Sequence, residues 1–165
     1  MKKTVNKDYF RSALFGSEDA LVSTTGTVVG ISAGTSNTSF IILAALVTVI
    51  VEALSMGTGE YLTEKSVHEL DRFRWLKKSR PSMGGLVMFF SYLGAGLIPV
   101  IPIIILPYPT SAVLSTFAAF FGLFTLGYIK GRVVGITPIK SGFQVLLVGG
   151  IATLAGLVVG IMLRK

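Results

Sequence analysis

Read for apolar and polar positions, the chain falls into five apolar stretches, 20–35, 39–59, 83–106, 111–129 and 142–163. The last four are 19 to 24 residues long, and a bilayer core is crossed by roughly 20 residues of helix. Backbone groups in lipid must be bonded within the segment, and runs of this length predict helices rather than barrel strands of about 10 residues. The first stretch is the weakest. Its 16 residues include Ser23, Thr24, Thr25, Thr27, Ser32 and Thr35 with three glycines, and as a helix it reaches only about 24 Å. The expectation is one all-α integral membrane domain over residues 1–165, with five transmembrane helices and a short, charged, helix-like connector at Glu60–Ser82.

Charge decides how the first stretch is read. Lys and Arg number 15 against 8 Asp and Glu, a net charge of +7. With five spans, 13 of the basic residues share one side and only Arg164 and Lys165 lie opposite; with four, the split is 9 to 6. The positive-inside rule favours the first arrangement, with the N-terminus cytoplasmic and the C-terminus outside. The basic excess is thereby a topology signal rather than a nucleic-acid patch. Charged residues make up 14% of the chain, against about 25% in soluble domains, too few to cover a soluble domain of this size. The chain holds no cysteine, which excludes a disulfide scaffold. A signal peptide is not expected, because the apolar run starts late and acidic residues precede it. No P-loop, Cys/His cluster or nucleophile triad is present, so the chain reads as a non-enzyme without a resident cofactor.

Carboxylates inside apolar segments are costly and mark a pathway or a partner. Asp19 begins the first span and is followed by Ser23, Gly26, Gly30 and Gly34, whose spacing traces one helix face with little side-chain bulk. The three glycines read as a helix-packing face; for Asp19 the alternative is an exposed helix N-terminus. In the second span Glu52, Met56 and Glu60 follow at every fourth residue, within roughly 80° of one another and about 12 Å along the axis. Carboxylate alone suits Mg²⁺ or Ca²⁺, and adding sulfur favours a transition metal. Two plainer readings stand beside this one: Met56 as core filler, and Glu52 as a neutral carboxyl bonded to a neighbouring helix. Glu64 and His68 continue the series as solvated connector residues. Pro99 and Pro102 mark either an irregularity lining a pathway or a frayed helix end. Gly149, Gly150, Gly156 and Gly160 of the last span read as packing, and Asn37-Thr38-Ser39 matches a glycosylation sequon on the outer side.

Four segments resemble one family. Leu14-Phe15-Gly16-Ser17-Glu18-Asp19-Ala20-Leu21-Val22-Ser23-Thr24 is similar to the opening of the vacuolar iron transporter (VIT) family, and Ala53-Leu54-Ser55-Met56-Gly57-Thr58-Gly59-Glu60-Tyr61-Leu62 to its second-helix motif. Residues 96–102 and 141–150 resemble its third and fifth helices. The resemblance implies a five-helix protomer, a homodimer with the pathway at its interface, and proton-coupled export of Fe²⁺ or Mn²⁺ as transported substrate. By motif, Asp19 and Met56 match pathway positions, and Glu60 lies in the motif beside them. Three departures stand out. Ala20 replaces the usual glycine after the aspartate. Thr48 stands where some members carry a carboxylate two turns before the methionine, with Glu52 one turn later. The carboxylate-rich metal-binding domain that many members insert between helices two and three is reduced to the short connector. The expected partners are a divalent metal ion, protons, the lipid bilayer and a second copy of the chain. The expected location is a prokaryotic cell membrane rather than a vacuolar one. The competing expectation is a non-transporting scaffold or accessory subunit assembled through its Gly-rich helix faces.

Overall fold

The computed structural model describes residues 6–70 and 80–164. Within them are five α-helices: α1 (Lys7–Gly34), α2 (Thr38–Leu70), α3 (Pro81–Ile105), α4 (Thr110–Val134) and α5 (Pro138–Met162). Local chemistry sets several ends. The Asn6 side chain caps α1 by accepting from the Asp8 N–H at 3.0 Å. Asn37 does the same for α2 through the Phe40 N–H at 3.1 Å. Proline opens α3 and α5 at Pro81 and Pro138, where a missing N–H costs nothing. Gly135 closes α4 at φ 83°, a left-handed conformation that glycine adopts without strain.

Two helices run well past their apolar stretches. α1 starts at Lys7 rather than near residue 20, and α2 continues through the charged segment to Leu70. Lys2, Lys3, Arg72, Arg74, Lys77, Lys78 and Lys165, on which part of the topology expectation rests, lie outside the described residues. α3 passes through Pro99 and Pro102, both buried, and ends only at Ile105, so neither proline marks a frayed end. Ser115 on α4 donates to the Pro99 carbonyl at 2.5 Å.

α2, α3, α4 and α5 are long and apolar enough to cross a membrane; α1 is not. The packing accounts for the difference. Among the described residues α1 touches all four other helices, while α2 pairs with α3, α3 with α4, and α4 with α5. α1 is therefore the hub of an incomplete ring that is open between α5 and α2. From Gly16 to Gly34 every residue of α1 is buried or half-buried. The Thr24 and Ser32 hydroxyls are buried without a hydrogen-bond partner among the described residues, and others bond to its own turns and its neighbours. Thr25, for example, donates to the Leu21 carbonyl. The outer helices turn Phe90, Phe117, Phe121, Phe143 and Ile151 outward, the pattern expected where the surroundings are hydrocarbon. Inside, Val28 of α1 packs with Ile41, Ala45 and Val49 of α2 and Val100 and Ile103 of α3, and Leu21 packs with Leu123 and Val145.

Small residues let the backbones come close. A Cβ on Gly85 of α3 would meet the Gly57 carbonyl of α2 at 2.6 Å, and one on Gly131 of α4 would meet the Pro138 Cα at 2.6 Å. Gly26, Gly30 and Gly34 of α1 face Ala152, Gly156 and Gly160 of α5, the carbonyls lying 3.7, 2.8 and 3.3 Å from where a Cβ would stand. The glycine faces of the first and last helices thus meet each other within one chain.

Candidate functional site

The polar groups converge on the seam between α1 and α2. On α2, Glu52, Met56 and Glu60 are half-buried while the neighbouring Ala53 and Gly57 are buried, so the row lies along the edge of the helix contact. Asp19 of α1 is half-buried, close enough to Glu52 for the two charges to repel, with Glu18 adding a further negative charge. Met56 packs against the buried cluster of Ala20, Ala53 and Tyr92. The arrangement brings one thioether and three carboxylates to the same side of the hub helix. Among the described residues no three His, Asp or Glu side chains converge into a preformed metal cage.

Glu52 is tied into a junction of three helices. Ser23 of α1 donates to Glu52 Oε2 at 2.5 Å, the Tyr92 hydroxyl of α3 donates to the same oxygen, and the two hydroxyls lie 2.7 Å apart. Tyr92 is fully buried. The carboxyl bonded to neighbouring helices, considered from sequence as the plainer role of Glu52, is thus present in the structure. It coexists with a place on the seam, because Ser23 also lines the open cleft described below.

Glu60 sits at the other end of the row. Ser12 donates to its Oε1 at 2.6 Å and Arg11 Nη2 lies 3.0 Å from the same oxygen. One turn on, Glu64 is not a solvated connector residue: its side chain is 9% exposed, with Oε1 3.9 Å from Arg11. Its other oxygen, Oε2, has no hydrogen-bond partner among the described residues, and neither does Nε2 of His68. Room for the carboxylate comes from Gly84 on α3, where a Cβ would stand 3.2 Å from Glu64 Oε2. Burial pushes the Glu64 carboxyl above the ordinary carboxylate range. Repulsion from Glu60 and Asp8 adds to this, while Arg11 and His68 pull partway back. The Tyr9 hydroxyl accepts from the Arg80 N–H at 2.9 Å and closes this end against the start of α3.

Where the ring of helices is open, α1 is uncovered. A cleft of about 870 Å³ lies there, lined by Val22, Ser23, Gly26 and Gly30 of α1, Phe40 of α2 and Gly156 of α5, among others. Its walls are mostly apolar, and Ser23 connects it to the Glu52 junction.

Sequence reasoning singled out Asp19, Glu52, Met56 and Glu60 but missed Arg11, Ser12, Ser23 as a bonding partner, Glu64 and Tyr92. Two signals were available. Ser12, Gly16, Ala20 and Thr24 recur every four residues, all of them buried, a small-residue stripe that marks the face of α1 turned inward. Tyr92 is a hydroxyl in the middle of an apolar span, and such a group must find a partner.

The VIT family model matches residues 10–75 and 69–161, two segments that overlap at 69–75. The vacuolar iron transporter 1 of Arabidopsis thaliana is 23% identical over 205 positions, covering 88% of this chain and 82% of that protein. The vacuolar iron transporter 1 of Tulipa gesneriana is 24% identical, covering 90% and 84%, and the vacuolar iron transporter of Centaurea cyanus 25%, covering 88% and 84%. Since 88% of 165 residues is about 145, roughly 60 of the 205 positions aligned with the Arabidopsis protein have no counterpart here.

Proposed function

The chain belongs to the VIT family, and we propose that it exports a divalent transition metal, Fe²⁺ or Mn²⁺, from the cytoplasm in exchange for protons. One observation carries the reading: Asp19, Glu52, Met56 and Glu60 lie half-buried along a single seam between α1 and α2, and Ser23, which bonds Glu52, also lines the open cleft. Oxygen donors joined by one soft sulfur suit Fe²⁺ or Mn²⁺ better than the alkaline-earth cations. A carboxylate withdrawn from water is stable either protonated or with a cation against it. A row of such groups can therefore pass metal one way and protons the other. The relatives' names, vacuolar iron transporter, support the cargo class.

In this reading all five helices cross the membrane. α1 crosses despite its hydroxyls because its neighbours shelter it. The N-terminus and the Arg11 end of the seam are cytoplasmic, as the positive-inside rule indicates, and the membrane is a prokaryotic cell membrane. Two copies associate across the opening between α5 and α2, each closing the other's cleft with its uncovered α1 face.

The test is flux into proteoliposomes carrying a pH gradient. Wild-type protein accumulates Fe²⁺ or Mn²⁺ and moves protons in the opposite sense, while Asp19→Ala and Met56→Ala lose most of the flux. The proposal fails if no metal moves, or if neither substitution changes the rate.

A further inference from the structure

At the end of the seam nearest the N-terminus of α1, Glu60 of the proposed route meets two residues that the route does not include, Glu64 and Arg11. Glu60 and Glu64, one turn apart on α2, both face a single guanidinium, that of Arg11, at 3.0 and 3.9 Å. Two carboxylates against one monovalent cation leave a negative charge unbalanced. Glu64 Oε2 is in addition buried with no partner among the described residues. Mobility is unequal as well. The Arg11 side chain is 64% exposed, whereas those of Glu60 and Glu64 are 11% and 9% exposed. Glu60 is further pinned by Ser12 at 2.6 Å, and Glu64 rests against Gly84. Arg11 can swing into water because most of its side chain is already exposed. The carboxylates stay where they are.

We propose that Glu60 and Glu64 form a capture site for a small divalent cation, and that Arg11 occupies this site as a tethered cation until a metal ion displaces it. A divalent ion balances both carboxylates where the guanidinium balances one, and it supplies the partner that Glu64 Oε2 lacks. The place of this site in a transport route rests on the function proposed above; its binding chemistry does not.

The chain contains no cysteine, so a nitroxide attached at Ser66→Cys, an exposed position two residues beyond Glu64, reports on this end alone. Glu52 lies 14 residues earlier on the helix, about 21 Å further along the axis. Mn²⁺ is titrated into the full-length chain in detergent micelles, and broadening of the nitroxide spectrum is followed. Saturable broadening is expected. Arg11→Gln shifts the midpoint to about threefold lower Mn²⁺ or more by removing the competing cation, and Arg11→Lys restores the wild-type midpoint. Glu64→Gln shifts it about tenfold higher by removing one ligand and one charge, and adding Arg11→Gln to Glu64→Gln recovers little. Circular-dichroism melts confirm that each variant is folded; Arg11→Lys keeps the charge, and Glu64→Gln keeps the shape, of the side chain it replaces. The proposal is overturned if Arg11→Gln binds Mn²⁺ no more tightly than wild type, or if Glu64→Gln leaves the midpoint unchanged. Absent vesicle flux with a tightened Arg11→Gln midpoint refutes the transport reading and keeps this site. Intact flux with coincident titrations does the reverse.

Discussion

Replacing Tyr92 with Phe removes one oxygen from the middle of the fold and leaves the ring in place. That hydroxyl donates to Glu52 and pairs with Ser23 at 2.7 Å, and Tyr92 is 0% exposed, so water has no access to replace it. In a soluble protein a hydrogen bond to a charged group contributes about 1.5–3 kcal/mol. Between helices in a membrane the measured average is about 0.6 kcal/mol with a ceiling near 1.7, because the separated helices also find partners. The second scale applies here, and Ser23 keeps its own bond to Glu52 at 2.5 Å. The expected loss is therefore about 0.5–1.5 kcal/mol. At roughly 2–4 °C per kcal/mol for a chain of this size, the melting temperature falls by about 1–6 °C. Thermal unfolding in detergent micelles, followed by circular dichroism, measures it. Combining Tyr92→Phe with Glu52→Gln gives a coupling energy of similar size, since the two side chains touch. Combining Tyr92→Phe with Arg11→Gln, at the far end of the seam, gives additive losses. An unchanged melting temperature with no coupling to Glu52 would refute the three-helix junction.

The remaining predictions concern packing, chemistry and pH. Gly30→Ala places a methyl 2.8 Å from the Gly156 carbonyl and destabilises by about 1–3 kcal/mol. Gly94→Ala and Gly150→Ala, where a Cβ meets nothing within 4 Å, raise stability by up to about 1 kcal/mol; three similar melts would sink the close-approach account. Met56→Leu keeps the side-chain volume and costs less than about 1.5 kcal/mol, yet lowers Fe²⁺ flux; flux equal to wild type removes the sulfur from the route. Glu64 holds its proton more tightly folded than unfolded, where its reference value is 4.5. Stability in chelator is therefore greatest below that value and declines as pH rises through the folded-state titration. Glu64→Gln flattens this slope, and a slope that survives the substitution belongs to another group.

The legible part of the site was the part written on single helices. Glu52, Met56 and Glu60 repeat every four residues, and a helix turns that spacing into a row without help from any other segment. Arg11, Ser12 and Tyr92 reach the same row from other helices, between 40 and 49 positions away in the chain, and no local period records such a meeting. Glu64 shows the difference most sharply. By spacing it continues the row into a charged segment and reads as solvated; in the fold it is packed against Gly84 and loses its water.

What the sequence determined alone was the number of helices, the approximate extent of their apolar cores and the family motifs, because length, hydropathy and short spacings are properties of the chain itself. The tertiary structure decided which helix is the hub and which faces turn inward. In a soluble protein the polar face of a helix announces the outside. In a lipid-facing bundle the outside is as apolar as the core, and that signal disappears. The hydroxyl-rich α1, the least membrane-like segment by composition, is for that reason the one that touches all four other helices.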